Sequence, residues 1–92
     1  MSESMCRQAK IVNSQGLHAR PCHAIVSAAL AFQSDLRIRH GDHEVNGKSI
    51  LELMTLQAAC GAELEISARG QDAPDLVDRL VKLIESGFGE ST

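Results

Sequence analysis

The chain has no tryptophan and no tyrosine, and its two phenylalanines, Phe32 and Phe88, leave Leu, Ile, Val and Ala to build the core. So few rings cannot form a stacking platform for single-stranded nucleic acid. Basic clusters are missing too, and the formal net charge is -3. That balance argues against a surface that neutralises phosphates along a nucleic acid. No apolar run approaches the roughly 20 residues of a membrane-spanning helix. The opening Met1-Ser2-Glu3-Ser4-Met5 lacks both the basic start and the apolar run of a signal peptide. The expectation is a cytoplasmic protein with no membrane insertion. Cys6, Cys22 and Cys60 are odd in number and contain no Cys-x-x-Cys pair. They read as reduced thiols that pack, not as a disulfide framework.

The 92 residues suit one domain, with residues 1–5 and 88–92 expected as flexible tails. No internal repeat, linker or low-complexity stretch divides them. Residues 6–12 read as a first strand, with Ala9 and Ile11 on one face and Lys10 and Val12 on the other. From Ala19 or Arg20, the spacing Ile25, Ala28, Ala29, Phe32 makes the stripe of an amphipathic helix ending near Gln33. Residues 35–40 alternate, with Leu36 and Ile38 inward and Arg37 and Arg39 outward. Gly41-Asp42 turns the chain into a short edge strand, residues 43–46, centred on Val45.

Ser49-Ile50-Leu51-Glu52 is a capping-box pattern that opens a second helix, expected to stop before Gly61. Ile50, Leu51, Leu53, Met54 and Leu56 are too many apolar residues to bury in so few turns. Part of that helix is expected to show a hydrophobic patch, which usually serves a partner. Residues 63–69 alternate again, with Leu64, Ile66 and Ala68 inward. Set beside residues 35–40, their Glu63 and Glu65 would oppose Arg37 and Arg39. Asp72 and Pro74 open the last helix, Leu76, Val77, Leu80, Leu83 and Ile84 form its stripe, and Gly87 ends it. Strands that are apolar on one side only must be covered on one face. The fold class is therefore α+β, an open-faced β-sandwich whose mostly antiparallel four-stranded sheet has the order 1-4-2-3 and carries three helices on one face.

The chemistry concentrates in Gly16-Leu17-His18-Ala19-Arg20-Pro21. Asn13, Ser14 and Gln15 are turn formers, Gly16 gives a sharp entry, and Pro21 fits the first turn of a helix. His18 then stands at a helix mouth, where free N–H groups and the positive end of the dipole meet the solvent. A positive field disfavours the imidazolium, so the ring is expected to be neutral and nucleophilic. An anion attached to it would be held by the same N–H groups, with Arg20 adding a charge-assisted fork. This suits a reversible phosphoryl acceptor better than a hydrolase, which needs a water activator and an enclosed pocket. Taken alone, a histidine before a helix is more often a cap or a surface residue.

That six-residue run, with Asn46-Gly47-Lys48-Ser49-Ile50-Leu51 and residues 61–68 following in order, resembles the HPr family of phosphocarriers of the bacterial phosphoenolpyruvate-dependent sugar phosphotransferase system. The likeness spans roughly residues 7–85 and implies the same open-faced fold. It also implies that His18 accepts a phosphoryl group on Nδ1 from phospho-enzyme I and passes it to an enzyme IIA domain, while Arg20 steadies the phosphate. Such a carrier has no metal or cofactor, is not itself an enzyme and works as a monomer. Ser49 matches a serine that HPr kinase/phosphorylase modifies in many bacteria, and that kinase and a catabolite regulator are the further partners expected. Partner contacts are expected at Leu17, Arg20, Lys48, Ile50, Leu51 and Met54.

Other readings compete at particular residues. Ser49 also serves simply as a helix cap. Cys22 and His23 stand where the family usually carries small residues, and His23 could relay protons, disfavour a charge on His18, or merely sit at the surface. His18, Cys22 and His23, or His40 and His43, could be imagined as metal ligands, but neither set has a convincing fourth ligand. Two further functions remain in competition: a regulatory carrier of a nitrogen-related or incomplete phosphotransferase system, and an interaction module using the second helix alone.

Overall fold

Alternating burial decides which side of each strand meets the helices. In the computed structural model, which describes residues 3–89, the order is β1 (Glu3–Lys10), α1 (Ala19–Ala29), β2 (Asp35–His40), β3 (His43–Asn46), α2 (Ile50–Met54), β4 (Glu63–Gly70) and α3 (Ala73–Glu85), then a 3-10 turn at Gly87–Gly89. The strands form one sheet ordered β1-β4-β2-β3, antiparallel throughout. Ile38 lies opposite both Ile66 and Val45, and Leu36 opposite Ala68. All of these are buried, while Arg37, Arg39 and Glu63 on the other face are exposed. Leu76, Val77, Leu80 and Ile84 of α3 and Ile25 and Ala29 of α1 complete the core from the helix side. This is the expected α+β open-faced sandwich.

Several boundaries differ from expectation. Glu3–Met5, expected in a tail, begins β1, because β4 is eight residues long and its far end, Ala68 to Gly70, pairs with them. Regular pairing of β1 stops at Lys10, although Ile11 still exchanges backbone bonds with Gly61 and Ala62. Phe88, also assigned to a tail, packs half-buried on the core. Residues 1, 2 and 90–92 of the expected tails lie outside the described residues. α1 stops at Ala29 rather than near Gln33, because the amides of Gln33 and Ser34 are drawn to the carboxylate of Asp72 at 2.9 and 3.0 Å. α2 stops before Gly61 as expected, but it ends already at Met54, so that Leu56, expected on the helix, reaches the core with Ala58 from irregular backbone.

One expected cross-strand pair forms and the other does not. Arg39 opposes Glu65 and bridges it at 2.9 Å. Arg37 opposes Ser67, and Glu63 opposes Lys10 of β1, because β2 ends before it reaches Glu63. The capping box is likewise half-made. Ser49 Oγ accepts from the Glu52 amide at 3.3 Å, but the Glu52 carboxylate accepts from the Asn46 amide at 3.0 Å instead of from Ser49 itself. The Ser49 amide is already engaged, donating to the Asn46 carbonyl.

Candidate functional site

The loop between β1 and α1 is held from within. Asn13 is fully buried and its Nδ2 donates to the Gly16 carbonyl at 2.8 Å, while the Gly16 amide donates back to the Asn13 carbonyl. Gly16 has φ +70°, and a Cβ there would stand 2.6 Å from the Ala58 carbonyl oxygen. Only glycine satisfies both the backbone angle and the close approach. Leu17 then donates its amide to that carbonyl at 2.9 Å and drops its side chain into the core. The next residue is thereby lifted to the surface.

His18 is that residue, and it is the N-cap of α1, with extended backbone at φ -89° and ψ -171°. Its carbonyl accepts the first helical hydrogen bond, from Cys22, so the amides of Ala19 and Arg20 precede that bond. The imidazole makes no capping bond to the helix. The ring is half-buried and Arg20 is exposed. An open cleft of about 650 Å³ includes both, with Ser14 and Gln15 from the loop, His23 and Ala24 from α1, and Phe88 and Gly89 from the C-terminal turn. A nucleophilic ring, a guanidinium and the leading amides of a helix are the components needed to take up and hold a small anionic group.

The residues matched by the family described as "PTS HPr component phosphorylation site" are 5–86. The chain belongs to the HPr family. It is 40% identical to the phosphocarrier protein HPr of Neisseria meningitidis serogroup A over 81 residues, 88% of this chain and 91% of that protein. Identity to the phosphocarrier protein NPr of Proteus mirabilis is 33% over 85 residues, 91% and 94% of the two chains. The solved structure of an HPr from Thermoanaerobacter tengcongensis superposes with a TM-score of 0.90 at 38% identity, covering 96% of this chain and 99% of that one. The protein is thus an HPr-type phosphocarrier of the phosphotransferase system and not a catalytic enzyme.

Within this HPr fold the remaining candidate residues are placed unevenly. His23 shares the cleft with His18. Cys22 turns the other way: it is fully buried, its thiol points to the Leu17 carbonyl at 3.8 Å, and burial pushes that thiol up to about 11. His18, Cys22 and His23 are therefore not brought together, and no group of three potential metal ligands converges among the described residues. His40 and His43 do face each other across the β2–β3 turn, but each is engaged with the end of α2, at Leu56 O (3.1 Å) and Thr55 Oγ1 (2.7 Å).

The expected partner residues separate into two kinds. Leu51 is 81% exposed and Met54 is 43% exposed, with Ile50 half-buried beside them. That is the hydrophobic patch anticipated on the second helix. Leu17 is instead a core residue, only 5% exposed, because its amide is tied to Ala58. Lys48 is drawn inward as well, with Nζ donating to the Phe32 carbonyl at 2.8 Å. It closes the end of the α1–β2 connection. Ser49 lies outside the cleft that holds His18. Sequence reasoning missed Ala24, Phe88 and Gly89 among the cleft residues, and the only signal at Phe88 was an aromatic set between two glycines in a chain with two aromatics.

Proposed function

We propose that His18 is the phosphoacceptor, taking its phosphoryl group from phospho-enzyme I and yielding it to an enzyme IIA domain, as a monomer in the cytoplasm. The observation that carries this reading is the position of His18: an N-cap whose ring does not cap, beside the leading amides of α1 and the exposed guanidinium of Arg20. In the forward step the lone pair of the ring nitrogen, Nδ1 in the family's pattern, attacks phosphorus. A P–N bond forms as the donor's P–N bond breaks, and that electron pair returns to the donor's ring. The amides of Ala19 and Arg20 and the guanidinium then hold the phosphoryl oxygens. Transfer onward repeats the exchange, so little net driving force is needed in either direction.

The test is labelling with phosphoenolpyruvate and enzyme I. Acid-labile label on the parent chain and none on His18→Ala is expected, with Arg20→Ala slowed on the order of 100-fold. Undiminished label on His18→Ala overturns the assignment. Ser49, with Leu51 and Met54 exposed on the helix it caps, is proposed as a regulatory phosphorylation site of a kinase that uses ATP. The chain resembles both an HPr, at 40% identity, and an NPr, at 33%, and the second likeness supports an alternative reading, a carrier that regulates without moving sugar. Transfer from phospho-His18 to a nitrogen-type enzyme IIA but not to sugar-specific domains would establish it.

A further inference from the structure

The C-terminal turn is wound against its own preference. Gly87, Phe88 and Gly89 all have positive φ, at 72°, 59° and 72°. Glycine accepts that conformation freely, whereas the Cβ of phenylalanine crowds the following carbonyl. A non-glycine residue persists there only when its surroundings hold it. Two contacts of the turn bear on this. The Phe88 side chain packs on the core, and Gly87 is buried so close to the active loop that a Cβ on it would lie 3.6 Å from Val12 Cγ2 and 3.9 Å from Asn13 Cβ. Asn13 is the residue that locks Gly16, so the turn leans on the loop that presents His18. Phe88 and Gly89 of this turn line the cleft that contains His18, Arg20 and His23.

We propose that Phe88 is a positioning residue that shields the phosphorylated ring, reducing access of water to a phosphoryl group on His18 until a partner protein takes it. The proposal rests on His18 being the phosphoacceptor. A phosphoimidazole is lost when a water oxygen bonds to phosphorus, the P–N bond breaks with its electron pair on the ring nitrogen, and inorganic phosphate departs. The ring nitrogen regains one proton in the exchange. That reaction needs a water molecule beside the phosphoryl group, and it is faster where a base can take the water's proton. Among the described lining residues no carboxylate is present, but the exposed imidazole of His23 is. A second imidazole beside a reactive phosphoryl group is a hydrolytic liability for a carrier. An apolar residue on one side of the open cleft, which reduces the water beside the phosphoryl group, offsets it.

The experiment labels the full chain with radiolabelled phosphoenolpyruvate and enzyme I, removes enzyme I, and follows loss of label from His18 at neutral pH. Phe88→Ala is expected to lose label at least about threefold faster than the parent. Phe88→Leu, which keeps apolar bulk, should lose it at close to the parent rate, and His23→Ala added to Phe88→Ala should restore part of the lifetime. Gly89→Ala has open space for its methyl but an unfavourable φ of +72°, so it loosens the turn with the ring intact and should shorten the lifetime. It also decides the matter if Phe88→Ala does not fold. Leu83→Ala is the control, since Leu83 packs on the core without lining the cleft. A parent lifetime for both Phe88→Ala and Gly89→Ala, or an equal loss in Leu83→Ala, overturns the shield while leaving the phosphoacceptor in place. A parent chain that takes no label on His18 overturns both.

Discussion

The carboxylate of Asp72 at the head of α3 holds the hydroxyl and the amide of Ser34, 38 residues earlier in the chain. Asp72 occupies the N-cap position of α3 but makes no capping bond there, because both oxygens are spent on Gln33 and Ser34. The connection from α1 to β2 is thus clamped to the start of the last helix.

That clamp predicts an acid-dependent stability. The Ser34 hydroxyl first, and then the Gln33 amide, hold the Asp72 carboxyl below its ordinary value of 3.8. The unfolded chain therefore binds a proton more readily, and the stabilisation is complete above 3.8 and lost as pH falls through the folded value. Asp72→Asn should be less stable than the parent at neutral pH, by denaturant titration. The gap should shrink well below pH 3.8, and a gap independent of pH would show that the charge plays no part.

Cys22 carries the opposite sign. Burial holds its thiol at about 11 against an ordinary 9.0, so the unfolded state gains by ionising as pH rises past 9.0 and the fold loses stability there. Below that pH the thiol should be inert. A thiol reagent at mildly alkaline pH should modify the exposed Cys6 and Cys60 quickly and Cys22 only as the chain opens. Peptide mapping after brief labelling checks this, and Cys22→Ala should remove the excess alkaline destabilisation.

Ser49 caps α2, and the phosphorylation proposed for it can be tested apart from that cap. As a cap it accepts one amide bond of 3.3 Å, so Ser49→Ala should cost about 1 kcal/mol of stability. As a proposed phosphorylation site, it should carry all acid-stable label delivered by ATP and a kinase. Ser49→Thr, which keeps a hydroxyl cap, should recover most of the stability. Retention of acid-stable label in a folded Ser49→Ala chain would place the modification elsewhere.

Patterns of short range were legible and pairings of long range were not. The alternation Leu36, Ile38 and Leu64, Ile66 fixes which faces of β2 and β4 are buried, and the stripe from Leu76 to Ile84 does the same for α3. The run from Gly16 to Pro21 locates His18 at the mouth of α1 because Gly16 and Pro21 each restrict the backbone locally. By contrast, Glu3–Met5 has no apolar alternation, and it becomes strand only because Ala68 to Gly70 offers a partner more than 60 residues away. The early end of α1 depends on Asp72, the inward turn of Lys48 on Phe32, and the burial of Leu17 on Ala58. Phe88 was hidden for a further reason: a left-handed phenylalanine contradicts its own propensity, and only tertiary packing supports it.

Leu51 and Leu53 stand two residues apart in α2 and are 81% and 0% exposed. Stability and partner binding should therefore separate cleanly between them. Leu53→Ala removes a fully buried side chain and should cost about 2–5 kcal/mol. Leu51→Ala removes one already in water, so its stability should stay within about 0.5 kcal/mol of the parent. If the Leu51 and Met54 patch receives enzyme I, the same substitution should raise the KM of enzyme I for this carrier roughly tenfold, while the rate at saturating carrier changes little. The reason is geometric: Leu51 lies outside the cleft containing His18, and its loss weakens docking without disturbing the ring that reacts. Steady-state transfer kinetics with varied carrier concentration read both quantities at once. An unchanged KM in a stable Leu51→Ala would move the docking face off α2.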